Sequence, residues 1–300
     1  MTTATDRSAA TPRRSVRCAV SVMRDGTSAR TELGSFLDEE LSVLEDETGI
    51  GGAPAWMPWA ERHPEEADAA AETVRRLLLH RRHLVPEGAA AELEDREPEG
   101  PEADLVADPT TTGTLLLRRS AAAVTTGLRT FAVEDGLREM RCYFYHQETA
   151  VSLEEIVTAE GAHRFAILPT SQVAERLQQI VDPQEVADQD GEMREIPSST
   201  PPEDWGESIA EDTRYLTRLL TTAAAAPVLH GASFHATHDG VHVVEPDGLT
   251  DFTAELAPGA PGPDADAQSP LRIARLSPRS LREVLDQLVR SEDADEDAEA

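Results

Sequence analysis

The sequence predicts an α+β fold: an antiparallel sheet built from two quasi-symmetric halves, each a strand meander with a helix, and with helices packed on the sheet. Three observations predict it. The segment HRFAILPTSQVAERLQQIV at 163–181 returns as LRIARLSPRSLREVLDQLV at 271–289, with seven of nineteen positions identical at an offset of 108. Residues 113–168 break into short alternating or β-branched runs divided by turn signals at EDG and EG, which is the pattern of an antiparallel meander. Apolar residues at helical spacing close each meander: Val173, Leu177 and Ile180 in the first, and Leu281, Leu285 and Leu288 at the same offset in the second. One such unit alone leaves a sheet edge and a helix face uncovered, so two related units are expected to share a sheet.

Taken in order, residues 1–14 are rich in Thr, Ala, Ser and Arg and read as a disordered start. The first half then runs over 15–181. SVRCAVSVM has the β-branched content of a first strand. Leu33, Phe36, Leu37, Leu41 and Leu44 recur at helical spacing, and the Gly cluster at 49–52 ends that helix. A second helix opens at Pro64, carries Glu65 and Glu66 at its positive end, and stops at Pro86 and Gly88. GTLLLRRS, GLRTFAV, LREMRCYFYHQ, AVSLEEIVT and HRFAIL are the meander strands, and Pro169 opens the helix after them.

Residues 182–200 read as an acidic linker, 201–290 as the second half and 291–300 as a disordered acidic tail. Within the second half a helix is expected from Thr200 through TTAAAA, followed by strands at VLHGASFHAT, GVHVVEP, LTDFTAELA and LRIARL, and by a last helix from Pro278. APGAPGPDADAQSP reads as a disordered loop.

Charge excludes more than it assigns. The stretches 86–104, 182–212 and 291–300 carry −23 of the net −30, so most of the charge is expected in solvated linkers. The same balance opposes nucleic-acid binding, which needs a basic stripe. All 27 basic residues are Arg. Without a Lys, the chain can carry no Schiff base and no phosphate-loop or kinase-type Lys. Cys18 and Cys142 lie too far apart in sequence for a ligand pair and read as small apolar residues. No segment approaches the roughly 20 apolar residues of a membrane span, and the short run CAVSVM is no signal-peptide core, so a cytoplasmic protein is expected.

Four histidines fall in one window, His230, His235, His238 and His242, but strand alternation sets His235 on the face opposite His230 and His238. None of the usual metal-ligand spacings is present, and no cofactor or metal is expected. His80 and His83 sit among Arg75, Arg76, Arg81 and Arg82, whose charge repels a cation. GIGG at 49–52 lacks the residues of a phosphate loop, and GASFH around Ser233 lacks the second Gly of a nucleophile elbow. Trp56, Met57 and Trp59 form one aromatic concentration, read either as a loop folded over helix ends or as a partner contact. MRCYFYHQ forms another: Tyr143 and Tyr145 share a strand face that either meets a partner or lies under helices.

A helix ending near LLHRRHLVPEG, an acidic connection, the meander with AVSLEEIVTAEGAHRFAIL, a helix at Pro169 and a second strand set with its own closing helix resemble the EspG family over roughly residues 30–290. These are cytosolic chaperones of type VII (ESX) secretion, and the Arg-only, Ala-rich composition is also like that of high-GC actinobacterial proteins. The acidic inserts are longer than that family's pattern. The resemblance implies a non-enzymatic monomer or weak dimer that binds a secreted helical protein and neither nucleic acid nor membrane. Partner contact would lie at Tyr143, Tyr145 and Gln147 on the sheet and at Arg279, Arg282 and Leu285 on the last helix. The rival readings are a His-centred metal protein or hydrolase, and an interaction module of another pathway with the same fold.

Overall fold

The structure, a computed structural model, describes residues 13–50, 64–133, 136–197, 200–201, 204, 209, 213–223, 229–245 and 270–290. Seven helices and twelve strands are found among them. The order is α1 (Arg13–Asp25), β1 (Thr31–Leu37), α2 (Asp38–Thr48), α3 (Pro64–His80), β2 (Leu84–Pro86), α4 (Glu87–Leu93), β3 (Leu105–Ala107), α5 (Pro109–Arg119) and β4 (Ala123–Val133). It continues with β5 (Gly136–His146), β6 (Val151–Val157), β7 (Ala162–Pro169), α6 (Val173–Val181), β8 (Arg194–Ile196), β9 (Tyr215–Ala223), β10 (Leu229–Ala236), β11 (Val241–Glu245), β12 (Leu271–Leu276) and α7 (Pro278–Arg290). Ten strands form one antiparallel sheet in the order β1-β7-β6-β5-β4-β9-β10-β11-β12-β8, and β2 pairs with β3 apart from it.

Alternation along the strands gives the sheet two apolar faces. Tyr143, Tyr145, Leu153, Phe165 and Ile167 face one way and pack against Val22 of α1, Leu41 and Leu44 of α2, Leu78 of α3 and Leu115 of α5. Cys142, Phe144, Ile156 and Leu168 face the other way, together with Phe234 and Val243 of the second meander. This face is covered by Val173, Leu177 and Ile180 of α6 and by Leu281, Leu285 and Leu288 of α7, two helices that pack against each other.

Several segments adopt another structure than their local pattern predicts. SVRCAVSVM is the helix α1, because Cys18, Ala19 and Val22 form a buried stripe with helical spacing. That stripe sits on α5, where a Cβ on Gly113 would lie 2.6 Å from the Cys18 carbonyl oxygen, so only Gly permits the approach. Leu33, Phe36 and Leu37 belong to the edge strand β1, bulged between Glu32 and Gly34, and the helix starts only at Asp38. Its three leading acids suit the helix N-terminus, and Gly49 ends it at φ 64° as expected. GTLLLRRS is the helix α5, since Pro109 stands in its first turn and the Asp108 carboxylate accepts a hydrogen bond from the Thr111 amide.

The stretch 86–104 is not a solvated linker. It folds as α4 and the turns that close the β2–β3 pair, and it buries Glu87. Arg96 donates through both Nη atoms to the Glu87 carboxylate at 2.6 and 2.9 Å, and Arg14 of α1 grips Glu94 at 2.7 Å. In the second half, Tyr215–Ala223 is the strand β9 rather than a helix, and it pairs with β4 along Phe131–Ala123. LTDFTAELA and the Pro-rich loop lie outside the described residues. Among those residues no helix is long and apolar enough to cross a membrane.

Candidate functional site

The densest polar chemistry is built on two adjacent residues of β6. Glu154 and Glu155 are consecutive, so their side chains enter opposite faces of the sheet, and neither has any exposed surface. A carboxylate so far from water must be paired or neutralised. Glu154 is held by Arg30, ahead of β1, and by Arg176 of α6, each donating from Nε at 2.8 Å. Glu155 receives Arg118 of α5, with Nε at 2.8 Å and Nη2 at 3.1 Å on its two oxygens, and the Tyr145 hydroxyl at 2.7 Å. His163 of β7 completes this set with Nδ1 2.5 Å from Glu155 Oε1.

The network continues to α2. Arg118 Nη1 donates to Glu45 at 2.6 Å, and His163 Nε2 lies 2.6 Å from Asp38 Oδ1. Burial alone would raise the Glu155 carboxyl, but the Arg118 charge and the His163 and Tyr145 hydrogen bonds outweigh it and hold the group down at about 2. Burial opposes charge on His163 too, yet its hydrogen bonds to Asp38 and Glu155 carry its pKa above the ordinary 6.5. Glu45 moves up through burial against the pull of Arg118, and burial pushes the Tyr145 phenol well up. This arrangement fastens helices to the sheet, since the Glu155 oxygens and both His163 nitrogens are already engaged.

A second constellation lies on the α6–α7 face. His146 contacts Thr125 Oγ1 through Nε2 at 2.9 Å and Ser152 Oγ through Nδ1 at 3.0 Å, and Thr221 and Thr170 extend the chain of hydroxyls at either end. Burial lowers the His146 pKa to about 4, so the ring is neutral. Ser152 has no exposed surface and His146 is buried, so this Ser–His contact lies inside the fold. Clefts among the described residues open elsewhere. One of about 500 Å³ lies between Arg14, Asp46, Glu87 and Glu99, and one of about 510 Å³ lies between Glu175, Gln178, Asp182 and Pro278 at the α6–α7 junction.

Compared with protein-family models and with curated proteins, the chain matches none.

The residues expected to meet a partner fall on opposite faces of the sheet. Tyr143 and Tyr145 stack at 6.1 Å with no exposed area, under the N-terminal helices, so they form no open face. Gln147 is spent on the Leu117 and Tyr145 carbonyls at 2.9 and 3.2 Å. On α7, Leu285 is buried in the seam with α6, Arg279 is exposed and bonds Glu283 at 2.8 Å, and Arg282 approaches Glu175 at 3.8 Å.

In the histidine window, His235 and His242 stand opposite each other across β10–β11, while His238 is exposed beside Asp239 at 3.0 Å. His230 pairs with Thr221 on β9. Among the described residues no group of three His, Cys, Asp or Glu is placed to hold a metal. His83 faces Asp108 at 3.2 Å and sets its ring edge-on to Phe36, and Cys18 and Cys142 are free and buried, with burial pushing the Cys142 thiol up to about 12. Trp56, Met57 and Trp59 lie outside the described residues.

Sequence reasoning missed Glu154, Glu155, Arg118, His163 and Asp38. The signal was there in AVSLEEIVT: two consecutive acids inside an otherwise apolar strand put one on each face, and a sheet covered on both faces must then neutralise both.

Proposed function

We propose that the chain is a non-catalytic binding scaffold, an EspG-like cytoplasmic adaptor that holds a helical protein destined for type VII secretion. The observation that carries this reading is the strand order. The meanders β4–β7 and β9–β12 meet edge to edge at β4 and β9, and β7 and β12, each followed in the chain by its helix, stand three strands out on either side. The segments that recur at an offset of 108 are those two strand–helix pairs. We read the molecule as a duplicated unit whose two halves share one sheet, an arrangement that offers a broad rigid platform to another protein.

On this reading the partner meets the outer side of α6 and α7, where Arg279 is exposed and Arg282 half-buried. The test is affinity capture of the tagged chain from its own cytoplasm, read by mass spectrometry. A small helical secretion substrate in stoichiometric amount, lost in Arg279→Glu/Arg282→Glu while the variant stays folded, supports the proposal. No such substrate in cells that express one, or retention of the substrate by the double variant, counts against the secretion role or against this surface respectively.

A further inference from the structure

We propose that His163 is a proton-dependent latch that fastens the Asp38 side chain, at the head of α2, to the sheet and loosens the first turn of that helix when the imidazolium loses its proton. The inference is independent of the adaptor reading. Its basis is geometric. Both ring nitrogens face carboxylate oxygens, Glu155 Oε1 at 2.5 Å and Asp38 Oδ1 at 2.6 Å. A carboxylate only accepts, so both contacts are hydrogen bonds only if both nitrogens carry hydrogen, and the ring must be the imidazolium. A neutral ring keeps one N–H and turns a lone pair toward the other carboxylate.

Burial decides which contact survives. The Glu155 side chain has no exposed surface and cannot exchange His163 for water, whereas Asp38, the first residue of α2, is 12% exposed and can. The neutral ring therefore holds its proton on Nδ1 toward Glu155 and gives up its hydrogen bond to Asp38. The charged and titratable surroundings favour the same outcome. From α2 come Asp38 and Glu45, from β6 Glu155, from α5 Arg118, and from β5 the phenol of Tyr145. Arg141 of β5 sits opposite Val157, which is itself opposite His163, and the elements adjoining the ring on β1 and β7 present Phe36 and Phe165. With the imidazolium present, Asp38, Glu45 and Glu155 face Arg118 and His163; without it three carboxylates face Arg118 alone. Glu45, paired with Arg118, Glu40 of the same first turn, paired with Arg81 of α3, and the Asp38 amide, which donates to the Gly161 carbonyl at 3.2 Å, still tether α2, so the first turn is loosened and not detached.

The sign follows from linkage. The folded-state pKa of His163 is raised, so its contribution is complete below about 6.5 and is lost as pH rises through the folded value. The experiment is amide hydrogen exchange of the full chain from about pH 6 to about pH 10, expressed as protection over intrinsic rates, with NMR of the His163 ring nitrogens. Protection in the first turns of α2 is expected to fall by up to about tenfold per pH unit above 6.5 while α7 stays level. In His163→Gln, the first turns of α2 should be less protected than in wild type at pH 6, with no fall as pH rises. Asp38→Asn, which keeps the acceptor without the charge, should move the ring titration to lower pH. Level protection of wild-type α2 across the range, or a ring nitrogen without its proton at pH 6, overturns the latch.

Discussion

Replacing Arg118 with Met tests whether the Glu155 network carries stability as the geometry says. The substitution keeps the aliphatic bulk in the helix and removes four hydrogen bonds, two to Glu155, one to Glu45 and a longer one to the Tyr145 hydroxyl. It leaves a fully buried carboxylate with His163 as its one remaining cationic partner, and removing one partner of a buried ion pair costs about 3–5 kcal/mol. The depressed Glu155 carboxyl, which Arg118, His163 and Tyr145 hold down together, points the same way. It sits near 2 in the folded chain against an ordinary 4.5, a gap worth about 3 kcal/mol at neutral pH.

Because that folded value is depressed, the stabilisation is present above 4.5 and is lost as pH falls toward 2. The assay is urea unfolding of wild type and Arg118→Met at pH 7 and at pH 3.5. The expected loss is about 3–5 kcal/mol at pH 7 and clearly less at pH 3.5. Adding Glu155→Gln to the Met variant removes the stranded charge and should recover part of the loss. A deficit under about 1 kcal/mol at pH 7, the size of an ordinary surface pair, or one of equal size at both pH values, would refute the reasoning.

Other outcomes follow from the packing. Leu285→Ala empties the seam between α6 and α7, where Leu285 is fully buried, and should cost about 2–5 kcal/mol in the same assay. Gly113→Ala forces α1 and α5 apart at the Cys18 carbonyl and should lower stability by about 1–3 kcal/mol, more than the small gain in helix propensity returns. The His146 ring should stay neutral in an NMR titration down to about pH 4. Its folded pKa is depressed, so its share of stability is whole above 6.5 and wanes as the solution is acidified toward 4.

The elements legible from sequence were those whose local pattern and tertiary place agree. β4 to β7 alternate or run apolar between turn signals, and α6 and α7 carry apolar residues at helical spacing, so both classes declared themselves. Where the two disagree, the pattern misleads. The leucines of Tyr215–Ala223 are spaced as in a helix, but the segment pairs with both β4 and β10 at the middle of the sheet. Three consecutive leucines in GTLLLRRS have no period, and the cap at Asp108 with Pro109 settles the matter as a helix.

The buried charges were illegible for another reason. Arg118 meets Glu155 across 37 residues of chain and His163 meets Asp38 across 125, so no local window holds both partners. The two tyrosines on one strand face were read rightly as neighbours; that α1 and α5 join in roofing the face depended on segments whose own structure the pattern misjudged.

The adjacency of Glu154 and Glu155 makes β6 a shared axle. Each acid is bolted by full charges to a different layer, α6 on one side and α2 with α5 on the other, so a force that lifts either layer is transmitted to the same two residues of backbone. Neither layer can peel away while the other keeps its strand unmoved, and the two sides of the first meander are thereby joined into one cooperative body through a single peptide bond.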